Sequence, residues 1–402
     1  MKKIIFMSFP DEGHMNPSIE LCRQLGAKGV KIVYYALKQD FHKFEGIENI
    51  ELKSYPDEFL PVINYFATQV DKLVRNLIKA IHMLYYCNRE LIDFTMKEIE
   101  KEKPDLVIND IFAIWGKAAA RYHKVPIAIF SSAFLMDPKG SGDPGMLKTI
   151  FTSIPTLVQA LKLRKEVMKK YNVKCDSPMQ IPSDQGEYTI VTTSKKLQPG
   201  SENFGSNVKF IGFSKEAKPS DAQRDTIFVS LGSISKSKTF WNKCLEATKD
   251  LGYKVVFVLG LNAEENINKE LLSDNVTIHT KVSLADYENY IQRSALFINH
   301  GGLNSITLSI FYKTPILVCP ISMEQYENGK AIDNSNCGKT FKNQKMSVSK
   351  LRKAIQSILE DKTIPLSIDE CSKELQNSIG FANVADDIIE TFNLKDRIIN
   401  YD

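Results

Sequence analysis

The 402-residue chain predicts an α/β fold made of two doubly wound parallel-sheet domains. Three observations point there. Short apolar runs alternate with helical patterns through the first half, the alternation breaks in a polar stretch near residue 220, and the same rhythm then restarts. The length exceeds one ordinary core and suits two large domains, and 43% apolar residues are enough to fill both.

Residues 3–8 read as a first strand, because apolar residues fill consecutive positions as they do in a strand covered on both faces. The run is too short for a signal peptide, and Pro10-Asp11-Glu12 ends it. A helix follows over 16–28, with Asn16 as its cap and Pro17 in its first turn. Residues 31–36 form the next strand, and 60–103 a long helical region. The series continues with a strand at 105–109, a helix at 115–123 and a strand at 127–131. Residues 137–145 hold Pro138, Gly140, Gly142, Pro144 and Gly145 and read as a loop. Residues 154–171 form a basic amphipathic helix, read as one solvated charged face or, more sharply, as a face that meets a membrane surface. Strands at 188–192 and 208–212 complete this domain.

Residues 215–225 are polar, contain Pro219 and read as the linker. The second domain runs strand 226–231, helix 239–251, strands 254–259, 276–279 and 295–299, helix 304–311 and strand 315–319. The boundaries are therefore 1–214, linker 215–225 and 226–380, with a terminal helix in 381–402 packing back on the first domain. Two such domains facing across a cleft bind ligands at the carboxyl ends of their strands.

A net charge of +4 is mildly basic, and the charges are interspersed. No zinc-finger spacing, aromatic–basic ladder or long basic run points to nucleic acid. The seven cysteines are scattered, odd in number and never spaced Cys-x-x-Cys, which fits reduced thiols rather than a disulfide framework or a zinc site. No stretch approaches the roughly 18 apolar residues of a membrane span. A cytoplasmic protein with no stable membrane insertion, a monomer or weak dimer, is expected.

Five segments carry chemistry. In Phe9-Pro10-Asp11-Glu12-Gly13-His14-Met15-Asn16-Pro17, His14 lies in the turn after the first strand. It is a candidate general base, because imidazole titrates near working pH, or simply a turn histidine. Asp110 lies just past the strand at 105–109. It either orients His14 and stabilises its imidazolium or caps the next helix, two roles that compete for its oxygens. Phe228-Val229-Ser230-Leu231-Gly232-Ser233 ends a strand in a small polar turn, where Gly232 and Ser233 offer N–H and hydroxyl donors to a phosphate. The run Ala295-Leu296-Phe297-Ile298-Asn299-His300-Gly301-Gly302-Leu303-Asn304-Ser305 takes a strand through a His-Gly-Gly turn into a helix. Backbone without Cβ, a helix N-terminus and an imidazole together suit a phosphate or diphosphate, although such turns also merely join strand to helix. After the strand at 315–319, Glu324 and Gln325 set a carboxylate beside an amide. The pair suits adjacent sugar hydroxyls and equally suits the first turn of a helix.

The motifs Gly13-His14-x-Asn16-Pro17, Asp110-x-x-x-x-Trp115-Gly116, His300-Gly301-Gly302-x-Asn304-Ser305 and Glu324-Gln325-x-x-Asn328 stand in order along nearly the whole chain. In this the chain resembles the GT-B nucleotide-sugar-dependent glycosyltransferases (family 1), nearest their macrolide-glycosyltransferase-like branch. The resemblance implies two Rossmann-like domains and an inverting, metal-independent hexosyltransferase that uses a UDP-sugar such as UDP-glucose, with no separate cofactor. It implies His14 as base and Asp110 as its partner. Donor contacts fall to Gly232, Ser233, Val282, His300, Gly301, Gly302, Asn304, Ser305, Glu324 and Gln325. No Asp-x-Asp metal motif is present. The acceptor, a small lipophilic or aromatic alcohol or phenol, is expected against Phe66, Met83, Phe134 and Met136.

The chain departs from the family where a Trp- or Tyr-Val-Pro-Gln segment packs on the donor base; here 279–287 reads His-Thr-Lys-Val-Ser-Leu-Ala-Asp-Tyr. Two alternatives stand beside the main reading: transfer of N-acetylglucosamine or another sugar to a lipid-type acceptor, and nucleotide-sugar binding without turnover. A nicotinamide enzyme is disfavoured, since neither domain opens with Gly-x-Gly-x-x-Gly.

Overall fold

The computed structural model describes residues 2–73, 76–137, 139, 150–183, 185–213, 224–232, 239–260 and 267–394, with the backbone alone at 66–72. Two compact units result, one from Met1–Gln69, Asn76–Ser214 and Ser378–Asp402, the other from Val70–Arg75 and Lys215–Asn377.

The first unit holds seven strands: β1 (Lys3–Met7), β2 (Lys31–Ala36), β3 (Ile50–Ser54), β4 (Leu106–Asp110), β5 (Ile127–Ser131), β6 (Tyr188–Val191) and β7 (Val208–Phe210). They lie in the order β3-β2-β1-β4-β5-β6-β7, and every neighbouring pair is parallel. The chain leaves β1 toward β2 and β3, then returns to lay β4 on the other side of β1. This reversal opens a crevice at the carboxyl ends of β1 and β4, where ligands of such sheets bind.

Helices cover both faces because the central strands are apolar on both. On one side Ile4, Phe6, Ile32, Tyr34 and Ile108 pack against Leu21, Cys22 and Leu25 of the helix Ser18–Ala27. The helix Gly380–Thr391 closes the same cluster with Phe381, Val384, Ala385 and Ile388. On the other side Ile5, Met7, Val33 and Val107 meet Leu91 and Ile92 of Leu77–Glu102 and Trp115 and Ala119 of Ile114–His123. The fully buried Lys117 reaches Asp176 at 2.6 Å, and Arg121 reaches the other oxygen of that carboxylate at 2.6 Å. The second helix is thereby tied to the segment after Ile154–Tyr171.

The second unit holds β8 (Thr226–Ser230), β9 (Lys254–Val258), β10 (Val276–His279), β11 (Ser294–Asn299), β12 (Ile316–Val318) and β13 (Gly338–Thr340). Their order is β10-β9-β8-β11-β12-β13, again all parallel, with the reversal between β8 and β11. Phe228 of β8 stacks on Phe297 of β11 with ring centroids 4.8 Å apart, joining the two strands that flank the crevice.

Several expectations need correction. β4 includes Asp110, so this carboxylate is the last strand residue rather than one beyond it. The expected helix over 16–28 splits into a short turn, Glu12–Met15, and the helix Ser18–Ala27. Asn16 is the closing residue of the turn and Asp11 its cap; Pro17 precedes the longer helix, which has no side-chain cap. The helical region 60–103 is two helices, Leu60–Leu73 and Leu77–Glu102, because Asn76 caps the second by accepting from Lys79 N–H. β3 and β13 went unforeseen. They are edge strands: Ile50–Ser54 is half-buried throughout and breaks its apolar residues with Glu51 and Lys53, and Gly338–Thr340 has no large apolar residue. Most of the expected loop at 137–145 and of the linker at 215–225 lies outside the described residues.

Candidate active site

His14 sits on the turn Glu12–Met15 that leaves β1, and Asp110 ends the adjacent β4, so both lie at the crevice of the first sheet. The turn is held in two ways. Asp11 Oδ1 accepts from Gly13 N–H at 2.8 Å. Lys43 donates to Glu12 Oε1 at 2.8 Å and pairs with Asp40 at 3.0 Å.

Asp110 contacts His14 with one oxygen and the turn after β4 with the other; it does not cap the next helix, Ile114–His123, whose first residue follows Ala113 with no side-chain cap. Oδ2 lies 2.9 Å from His14 Nδ1, and Oδ1 accepts from Phe112 N–H at 2.9 Å. The carboxylate is buried, so the contact works with little screening by water. A carboxylate on Nδ1 favours the tautomer with its proton there, which makes Nε2 the basic nitrogen. The imidazole keeps 16% of its side-chain surface open.

Three further residues surround the His14 ring in this unit. The Ser132 hydroxyl lies 3.1 Å from His14 Nδ1, on the same nitrogen as Asp110. Phe9 and Phe112 flank the ring at centroid distances of 5.3 and 5.1 Å. Sequence reasoning passed over all three. The available signal was their place at the carboxyl ends of β1, β4 and β5, the strands at the crevice. Of the expected acceptor residues, Met83 is half-buried with Phe9, Tyr86 and Phe112 against the cluster of Ile81, Leu84, Tyr85 and Ile114. Phe134 and Met136 are half-buried in the segment after β5, where Met136 N–H donates to Pro182 C=O at 2.9 Å. The side chain of Phe66 lies outside the described residues, as does Ser233.

In the second unit the crevice is lined by Gly232 after β8 and His300 after β11. The His-Gly-Gly turn is pinned from both sides: Gly301 N–H donates to Asn299 Oδ1 at 2.8 Å, and Asn328 donates to Gly301 C=O at 2.9 Å. Gly301 has φ +92°, and a Cβ there would meet Val318 and the Gln325 carbonyl at 2.7 Å, so only glycine fits. Gly232 and Gly302 leave room for the same imidazole. A Cβ at 232 would lie 2.9 Å from His300 Cε1, and one at 302 would lie 2.7 Å from Nε2.

Burial pulls the His300 pKa down to about 4, so the ring is neutral at pH 7. Its Nδ1 is buried and has no hydrogen-bond partner among the described residues, an unusual cost that a ligand would relieve. The helix Leu303–Phe311 begins at Gly302 with no side-chain cap, whereas those beginning at Leu284, Met323 and Val348 are each capped by a serine. Its first N–H groups therefore face the turn without a side-chain acceptor at the cap, the arrangement that suits an anion.

The remaining donor candidates fall into place unevenly. Asn304 and Ser305 lie in the first turn of that helix, and the Ser305 hydroxyl is turned to the phenol of half-buried Tyr287. Glu324 and Gln325 are indeed in a first turn, that of Met323–Asn334. Glu324 is exposed, whereas Gln325 is buried and its Oε1 accepts from Ile321 N–H at 3.0 Å. Val282 is half-buried after β10, three strands from His300. Asn299 and Asn328, which fix the turn, were not among the expected site residues. Among the described residues no cluster of three or more His, Cys, Asp or Glu has a metal-holding arrangement, and no helix is long and apolar enough to cross a membrane.

Residues 226–387 match the Glycosyltransferase family 28 C-terminal domain. Over the full length of both chains, this one is 26% identical to the protein described as uncharacterized UDP-glucosyltransferase YojK of Bacillus subtilis. It is 24% identical to the oleandomycin glycosyltransferase of Streptomyces antibioticus, covering 95% of this chain and 89% of that one. The crystal structure of CalG4, the calicheamicin glycosyltransferase, superposes with a TM-score of 0.77 at 19% identity, covering 99% of each chain.

Proposed function

The chain belongs to the GT-B nucleotide-sugar-dependent glycosyltransferases, in their macrolide-glycosyltransferase-like branch, and from that premise we propose that it moves a hexose, glucose, from a UDP-sugar to a hydroxyl of a small lipophilic or aromatic acceptor, with inversion and without a metal ion. The contact of His14 Nδ1 with Asp110 Oδ2 at the crevice of the first sheet carries this reading.

In the proposed step the acceptor hydroxyl gives its proton to His14 Nε2 while its oxygen attacks the anomeric carbon. The bond from that carbon to the diphosphate breaks, and its electron pair leaves with the nucleoside diphosphate. The imidazolium so formed is paired with Asp110. The charge gathering on the diphosphate falls to the second unit, where the neutral His300 and the uncapped start of Leu303–Phe311 are donors already in place. The half-buried rings of Phe9 and Phe112 beside His14 support an apolar acceptor.

The test is incubation with UDP-glucose and a panel of phenols, aliphatic alcohols and macrolide aglycones, with product linkage read by proton coupling constants. A β-glucoside from the α-linked donor is expected. Bound donor with no transfer to any acceptor would leave a binding protein, and preference for UDP-N-acetylglucosamine with a lipid alcohol would move the assignment to that chemistry.

Ser132 acts through His14 in this scheme, as a second acceptor on Nδ1. Ser132→Ala is expected to lower kcat about three- to tenfold, the worth of one hydrogen bond. Losing an acceptor that stabilises the imidazolium lowers the pKa of the base, so the acid limb of the kcat/KM profile should move to lower pH. An unmoved limb would assign Ser132 a packing role only.

A further inference from the structure

We propose that the outward face of the helix Ile154–Tyr171 docks this protein reversibly on an anionic lipid surface. The inward face is settled: Ala160, Leu163 and Val167, at helical spacing, are buried in the first unit. On the opposite side Ile154 (47% exposed), Val158 (46%) and Leu161 (40%) follow at intervals of four and three residues, one line up the helix, and Phe151 (72%) stands just before its start. Twelve large apolar side chains are exposed among the described residues, and four of them fall in these eleven positions. Single exposed apolar residues are ordinary, whereas a contiguous line of them marks a contact surface.

The line continues as Lys162, Lys165 and Lys169, all exposed and none in an ion pair among the described residues. Lys170, off this line, pairs with Asp93 at 2.6 Å. Residues 151–165 contain no Asp or Glu; the first acid is Glu166, whose charge acts on Arg89. Apolar turns followed by unpaired cations along one face match the boundary of a bilayer. The side chains of Phe151, Ile154, Val158 and Leu161 enter the acyl margin, while lysine stems lie along it with their ammonium groups at lipid phosphates. A second copy of the chain fits less well, since antiparallel pairing would set each lysine run against apolar turns that hold no carboxylate.

This surface is independent of the glycosyl-transfer reading, and its test needs neither donor nor acceptor. The full-length protein is sedimented with vesicles of phosphatidylcholine alone and of phosphatidylcholine mixed with phosphatidylglycerol. Binding to the mixed vesicles, weakened by salt, is expected, with little on the neutral ones. Each lysine near such a surface contributes about fivefold to partitioning, so combined Lys162→Ala, Lys165→Ala and Lys169→Ala should lower it about a hundredfold. Combined Val158→Ser and Leu161→Ser should lower it at least about tenfold. All five positions are exposed, so both variants are expected to fold as the parent does, which a thermal melt checks. Absence of binding at low salt, equal binding to both vesicle types, or variants that bind like the parent would overturn the proposal. So would a concentration-dependent dimer that the same substitutions dissolve, because the face would then belong to a second copy.

Discussion

His14→Ala is expected to lower kcat by about 10²–10⁴-fold, the usual contribution of a positioned general base. Binding of the nucleoside diphosphate should change by less than about twofold, since the contacts proposed for it lie in the second unit and the lost group is the one proposed to take the acceptor proton. The change should do little to the fold. The imidazole is partly open, and its turn is held by Asp11 and by Lys43 rather than by the ring. Steady-state rates with UDP-glucose and calorimetric titration with UDP separate the two effects. Parent-like kcat in the variant would remove His14 from the mechanism. Asp110→Asn is a stricter companion, because Oδ1 can still accept from Phe112 N–H. The amide, however, would present a donor to Nδ1 and favour the tautomer with the wrong nitrogen basic. A loss approaching that of His14→Ala is expected from this variant, with the unfolding midpoint little changed.

His300→Ala should weaken UDP binding and cost a further 10²–10³-fold, roughly, in kcat, because a donor placed where negative charge develops matters more in the transition state than before it. An unchanged dissociation constant for UDP would count against the diphosphate assignment. A second signature comes from acid. The unfolded imidazole takes up its proton near pH 6.5 and the buried one near 4. Between those values the unfolded chain binds more protons, so stability rises with pH through the window and is lost as pH falls from about 6.5 toward 4. The loss attributable to His300 amounts to about 3 kcal/mol when complete, because each tenfold difference in proton affinity between the folded and unfolded chain is worth about 1.36 kcal/mol. His300→Asn keeps a polar side chain without this titration. Its urea midpoint should therefore fall less than the parent's between pH 7 and pH 4.5. Saturating UDP should narrow the parent's loss, because an anion beside the ring favours its protonated form.

The central strands were legible in the sequence for a physical reason. Strands buried on both faces leave unbroken apolar runs, as in Ile4-Ile5-Phe6-Met7 and Leu296-Phe297-Ile298. The edges were not, because Ile50–Ser54 and Gly338–Thr340 are covered on fewer sides and carry charged residues such as Glu51, Lys53 and Lys339. His14, Asp110 and the His-Gly-Gly turn were legible as candidates since each lies at or soon after the carboxyl end of an apolar run. What no spacing discloses is the division of labour within a side chain. Asp110 puts one oxygen on His14 and the other on Phe112 N–H in the turn, and leaves the helix Ile114–His123 without a side-chain cap. Likewise Gln325, expected to face a sugar, has its carbonyl oxygen on Ile321 N–H, a contact that depends on how the helix Met323–Asn334 meets β12. Ser132 was invisible because a serine after a strand is common, and only the closeness of β5 to β4 gives it meaning.

The room shared by positions 232, 300 and 302 has an evolutionary corollary. The two glycines come from loops that follow different strands, yet a Cβ on either would meet the same ring. Replacement at 302 should therefore be epistatic with 300: alanine there ought to be harmful while histidine occupies 300 and nearly neutral once a smaller residue stands there, whereas alanine at 232 is relieved only in part, because Gly232 also has φ +72°. In an alignment of related chains the columns 300 and 302 should covary, and drift at 300 should release 302 from constraint while 232 stays glycine for its backbone.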